Sequence, residues 1–118
     1  MKKKKILIAD DDHECRALLK EVLVPDFDIL EASDGHEAVN MLNGRNVDLM
    51  ISDLKMPVQD GMDTILEARH LQPRLKIVIV SGYQEDIRRM KLFKADYAFE
   101  KPFDVLEVSA KIRQILSD

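Results

Sequence analysis

Five short apolar runs divide this 118-residue chain, and a helix-length stretch follows each of them. The runs are Lys5-Ala9, Phe27-Glu31, Val47-Ser52, Lys76-Ser81 and Tyr97-Glu100, all of strand length. The third and fourth are almost continuously apolar, as strands are when helices cover both faces of their sheet. After the first run, His13-Val24 carries Ala17, Leu18, Val22 and Leu23 on one helical stripe, which Pro25 ends. Asp34-Gly35-His36-Glu37 has the form of a capping box, opening a helix through Leu42 that Gly44 stops. Met62-His70, Gln84-Phe93 and Val105-Leu116 supply three more helices. Strand then helix, repeated with short connections, predicts one doubly wound α/β domain over residues 1–118. With the first strand central, the crevice beside it, where the sheet reverses direction, is where such folds place ligands.

Composition narrows the function classes. Hydrophobic content of 46% and charged content of 34% are ordinary for a soluble globular domain. A net charge of -4 and only six aromatic residues, two Tyr and four Phe, argue against direct nucleic-acid binding. Cys15 is the single cysteine, so no intrachain disulfide exists, and a reducing cytoplasmic setting fits. With no activating partner in sequence, that thiol reads as structural. The basic run Lys2 to Lys5 precedes an apolar stretch of only Ile6 to Ala9, too short for an export signal, and no run approaches membrane-spanning length. Those lysines read as a solvated lead-in to the first strand.

The polar residues at the strand ends carry the chemistry. Asp10-Asp11-Asp12, Asp53, Ser81 and Lys101 each follow an apolar run, and in a parallel sheet those ends share one edge. Three carboxylates in one cleft repel; each close pair costs on the order of 4 kcal/mol at an effective dielectric near 20. A divalent cation removes that cost, and hard oxygen ligands favour Mg²⁺, with Mn²⁺ also suitable. Zinc is disfavoured because neither Cys nor His joins the cluster; His13 begins a helix and reads as a surface residue. Asp10, Asp12, Glu14 and Glu21 do match EF-hand loop spacing, but Cys15 stands where that loop requires Gly. Lys101, before Pro102, can reach a phosphoryl oxygen or pair with Asp53. Ser81 can donate to another such oxygen, and Gly82 leaves space for a loop to move.

Four segments together resemble the receiver domain of two-component response regulators over essentially the full length. They are Ile6-Leu-Ile-Ala-Asp-Asp-Asp12, Asp53-Leu-Lys-Met-Pro-Val-Gln-Asp-Gly61, Ile79-Val-Ser-Gly-Tyr83 and Glu100-Lys-Pro-Phe103. The resemblance implies a flavodoxin-like, five-stranded parallel sheet of order 2-1-3-4-5. It makes Asp53 the phosphoacceptor, Asp10 and Asp11 the acidic pair for Mg²⁺, and the Lys55 carbonyl a further ligand. Ser81 becomes the switch hydroxyl and Lys101 the phosphoryl contact, whereas Asp12 is not a direct ligand. The implied donor is a phosphohistidine on a sensor histidine kinase or histidine phosphotransfer protein. The implied readout is altered binding to an output domain or target protein. By this reading the chain is a signalling domain that assists its own phosphorylation and dephosphorylation, not a turnover enzyme.

Two positions depart from the family pattern. Ala98 stands where an aromatic residue usually follows the switch, with Tyr97 and Phe99 on the opposite face of the strand. Lys94 replaces a usual Gly before the fifth strand. Lys55 and Tyr83, two residues beyond Asp53 and Ser81, are large enough to border the path of attacking water, predicting a comparatively long-lived phosphoryl group. Arg88, Arg89 and Lys91, with Lys94 just beyond, make the Gln84-Phe93 helix basic on balance, by default a solvated face and in the alternative a docking surface for an acidic partner.

Three other classes fit less well. A non-phosphorylated interaction module would typically lack the acceptor or metal acids that this chain retains. A flavin-binding protein needs a phosphate loop after the first strand, where three aspartates would repel the phosphate. A haloacid-type phosphatase needs its nucleophile on the first strand with a second Asp two residues on. Asp10 and Asp12 have that spacing, but the Asp53 and Lys101 contexts fit a receiver better. No output domain is expected within these 118 residues.

Overall fold

In the computed structural model, which describes residues 2–54, 61–82 and 94–117, the expected parallel sheet forms. Its strands are β1 (Lys5–Ala9), β2 (Asp28–Ala32), β3 (Leu49–Asp53), β4 (Lys76–Ser81) and β5 (Tyr97–Glu100), in the order β2-β1-β3-β4-β5. All four pairings are parallel, so the carboxyl ends of β1, β3, β4 and β5 lie along one edge. The described helices are α1 (His13–Leu23), α2 (Gly35–Leu42), α3 (Gly61–Leu71) and α4 (Val105–Leu116). The predicted helix Gln84-Phe93, with Arg88, Arg89 and Lys91, falls outside the described residues.

Strand alternation builds two cores from one sheet. Leu7 and Ala9 of β1, Met50 of β3, and Ile77 and Ile79 of β4 point to one face, under Ala38 and Leu42 of α2 and Ile65 and Ala68 of α3. Ile6, Ile8, Leu49, Ile51, Val78 and Val80 point to the other, under Leu19 and Leu23 of α1 and Val108 and Ile112 of α4. Burying a Leu or Ile side chain stabilises by roughly 1.5–3 kcal/mol, so these faces fix the register of every strand.

Local signals set the helix ends. Asp12 caps α1 by accepting from the N–H groups of Glu14 and Cys15, and Asp104 caps α4 by accepting from Leu106. Asp34 caps α2 by accepting from the N–H of Glu37, as predicted. Past the end of α2, Gly44 adopts φ +88, a left-handed conformation in which a side chain would be strained.

Some expected boundaries move. β2 begins at Asp28, because the N–H of Phe27 returns to the Leu23 carbonyl and closes a turn. β3 begins at Leu49, because the N–H of Val47 is taken by the Gln72 side chain instead of a neighbouring strand. The lysine lead-in is not wholly solvated: Lys4 is half-buried and its Nζ donates to the Leu116 carbonyl at 2.6 Å, at the negative end of α4.

Candidate functional site

The carboxyl edge of the sheet gathers the residues singled out in the sequence. Asp10 follows β1 directly, its N–H extending the ladder to the Ala32 carbonyl at 3.1 Å. Asp53 is the last residue of β3, and Asp10 and Asp53 are both buried. Asp11 is exposed beside them, and one carboxylate oxygen from each of the three lies within 4.8 Å of the others. This cluster can hold a metal ion. The donor set is entirely carboxylate oxygen, which suits a hard divalent cation.

One cation already reaches into the cluster. The Nζ of Lys101 donates to Asp53 Oδ2 at 2.9 Å and to Asp10 Oδ2 at 3.0 Å. Lys101 is positioned from β5, its backbone N–H donating to the Ser81 carbonyl at 2.7 Å, and the Lys101–Pro102 peptide is cis. Burial alone would lower its pKa, but the hydrogen bonds and charges of Asp53 and Asp10 outweigh burial and raise it well above the usual lysine value. Asp10 shows the converse balance. Burial pushes its pKa up, yet the Asp12 N–H at 2.9 Å and the Lys101 ammonium together hold the carboxyl below its usual range.

Ser81 ends β4, fully buried, one register step beyond the Asp53–Val80 pair. Gly82 follows with open space where a Cβ would point. Asp12 takes no part in the acidic cluster; its carboxylate is occupied in capping α1. His13 is an exposed first residue of α1. Cys15 is half-buried against Asp10, and burial, then the Asp10 charge, push its thiol up to about 12, the state of an inert sulfur. Ala98 packs into the core on the α2–α3 side, while Tyr97 and Phe99 stack across the strand's other face with ring centroids 4.9 Å apart. Lys55 and Tyr83 lie outside the described residues.

One contributor has no motif to announce it. Arg16, on the second turn of α1, donates from Nη1 to the Asp10 carbonyl at 2.5 Å and from Nε to Glu31 Oε1 at 3.2 Å. Its partner at the site is a backbone oxygen, which no sequence pattern marks.

An open doubly wound sheet with three acids and a lysine at its switch point is an arrangement that can hold a cation beside a phosphoryl group. Among arrangements of that kind the assignment is specific: the family "Response regulator receiver domain" matches residues 6–113, and the chain belongs to it. It is thus a homologue of the phosphoacceptor domains of two-component signalling. The transcriptional regulatory protein CpxR of Klebsiella pneumoniae is 38% identical over 115 residues, covering 95% of this chain and 49% of that protein. The chain therefore spans about half the length of the first curated relatives it matches. The chemotaxis protein CheY of Halobacterium salinarum is 32% identical, covering 97% of this chain and 98% of its own. The crystal structure of response regulator TrrA from Thermotoga maritima, in complex with Mg(2+)-BeF, superposes with a TM-score of 0.86 at 32% identity, covering 96% and 99% of the two chains.

Proposed function

We propose that residues 1–118 form one receiver domain that accepts a phosphoryl group on Asp53 from a phosphohistidine, carried by a sensor histidine kinase or a histidine phosphotransfer protein. The observation that carries this reading is the Lys101 ammonium bridging Asp53 and Asp10 with Asp11 alongside. An Asp53 oxygen attacks phosphorus in line, forming the acyl-phosphate O–P bond as the P–N bond to the donor imidazole breaks. Lys101 follows the transferring group, offsetting charge on its equatorial oxygens. Ser81, at the end of the neighbouring strand, donates its hydroxyl to one of those oxygens. Asp10 and Asp11, with the Lys55 carbonyl, would hold Mg²⁺, or Mn²⁺ in its place. That ion supplies charge neutralisation for the acceptor and the incoming phosphoryl group. The TrrA complex with Mg(2+)-BeF supports this choice of metal.

Each chain carries one phosphoryl group and releases it by hydrolysis, which makes it a signalling element instead of a turnover enzyme. The readout is a population shift at the Ser81–Gly82 corner and β5, passed to an output domain or target protein. With Ala98 in the aromatic position, that coupling runs through the backbone of β5 without a large ring. Neither nucleic acid nor membrane is a direct partner, and the setting is cytoplasmic. Among the described residues no helix is long and apolar enough to cross a membrane.

Acetyl phosphate with Mg²⁺, followed by intact mass measurement, tests the assignment. The wild type should gain the mass of one phosphoryl group, and Asp53→Ala should gain none. No gain by the wild type, or an equal gain by the variant, overturns it.

A further inference from the structure

Asp10 is tied at every polar atom. Its N–H extends the β1–β2 ladder to Ala32, Oδ1 accepts from the Asp12 N–H, and Oδ2 accepts from Lys101. The remaining group, its carbonyl oxygen, lies beyond the last residue of β1, and it is the Arg16 guanidinium that takes it, at 2.5 Å. Arg16 is itself anchored. Its Nε donates to Glu31 on β2, whose second oxygen lies 3.5 Å from Lys20 Nζ, and the Arg16 side chain is only 14% exposed. A half-buried guanidinium that donates to two separate acceptors holds a defined orientation.

We infer that Arg16, braced by Glu31, is the positioning residue that orients the Asp10–Asp11 peptide and so aims the Asp11 carboxylate into the acidic cluster. Asp11 is the exposed member of the three, and its side chain lacks the burial that fixes the other two. The backbone from which it projects is oriented by the peptide that precedes it, and the oxygen of that peptide is the atom Arg16 grips. A guanidinium on this carbonyl therefore does for the metal acids what a hydrogen-bonded partner does for a ligating histidine. The inference rests on the metal-binding reading above.

Charge and positioning make opposite predictions, which gives the test its sign. Removing a cation from beside an acidic cluster, taken as electrostatics alone, strengthens Mg²⁺ binding. Loss of an orienting partner weakens it, by about 10- to 100-fold for such residues. Mg²⁺ affinity of the full chain should be measured by isothermal titration for the wild type, Arg16→Met, Arg16→Lys and Glu31→Gln, at a temperature where circular dichroism shows each fully folded. Arg16→Met should bind about tenfold more weakly. Arg16→Lys, which keeps the charge but cannot grip both acceptors, should also weaken binding and stands in if Arg16→Met fails to fold. Glu31→Gln should shift affinity in the same direction by less. Amide resonances of Asp11 and Asp12 should move in the Arg16 variants before metal is added. Unchanged or tighter binding by the Arg16 variants overturns the role while leaving the metal site intact. Failure of the wild type to bind Mg²⁺, or equal binding by Asp11→Asn, removes the metal reading itself.

Discussion

Replacing Lys101 with Met deletes an ammonium and keeps the bulk of the side chain, so Asp10 and Asp53 lose their shared cation. Breaking a buried pair from one side typically costs about 3–5 kcal/mol. Lys101 retains some solvent contact at 26% side-chain exposure, and we expect a loss nearer to about 2 kcal/mol in metal-free buffer. The same change should tighten Mg²⁺ binding, because a competing cation is gone, while slowing phosphorylation by acetyl phosphate. Urea melts with and without Mg²⁺ check the first two effects, and weaker binding would refute the competition. The pH dependence follows from the same triad. Asp10 has a depressed folded pKa, so its share of stability is complete above about pH 4 and is lost as the pH falls through that folded value. Lys101 has a raised one, so its share is complete below about pH 10 and fades as the pH rises through its folded value. Metal-free thermal melts should therefore weaken at both extremes, and Asp10→Asn should lose its part of the acid limb. Asp10, Asp11, Asp53, Ser81 and Lys101 were legible in the sequence because parallel strands bring their carboxyl ends together. Arg16 was not, because its target is a main-chain oxygen, and main-chain oxygens look alike at every position.

Among the elements, the approach to β5 is the clearest case of a local rule being broken. Lys94 adopts φ 54, the left-handed region, at the position where the family pattern carries Gly. The conformation is held from α3, whose Arg69 donates to the Lys94 carbonyl and to that of Leu75. A left-handed non-glycine residue costs roughly 1–2 kcal/mol, and Gly gives back part of that through its looser unfolded state. Lys94→Gly should raise stability by about 0.5–1 kcal/mol, measured by chemical denaturation; a fall would show that the lysine stem contributes more than the backbone loses. Strand existence and order followed from the apolar runs, but strand starts did not. At Phe27 and Val47, a turn carbonyl and the Gln72 side chain claim N–H groups that hydrophobicity alone would give to the ladder. A second element-level feature is the groove between α1 and the β5–α4 connection, lined by Cys15, Leu18, Pro102, Phe103 and Val105 with Lys101 at its edge. Leu18 is half exposed there, in a groove that Lys101 also lines, and under the proposed function this is where the phosphohistidine-bearing donor docks. Leu18→Glu should slow transfer from a protein donor at least several-fold and leave acetyl phosphate unaffected. Equal slowing with both donors would place its effect in the cleft.

For the molecule as a whole, the acids at one edge are carried by a fold whose two cores lie beneath the sheet faces and supply most of its stability. Metal should therefore add stability to an already folded chain. A ligand present at tenfold its dissociation constant stabilises by about 1.4 kcal/mol, or roughly 4–8 °C in melting temperature for a domain near this size. Melts in Mg²⁺ against KCl of equal ionic strength should show such a rise, and Asp11→Asn should abolish most of it. The fold itself was legible at this scale because five runs in 118 residues leave few alternatives for a right-handed parallel sheet. What the runs did not disclose is how the lead-in to β1 meets the last turn of α4. Lys4 grips the final turn of α4 through the Leu116 carbonyl, on the side of the sheet remote from the acids. A short peptide bridging residues 117 and 2 would close the backbone into a ring without passing near the phosphoryl pocket, and such a circular molecule should keep its acceptor chemistry while resisting attack by exopeptidases.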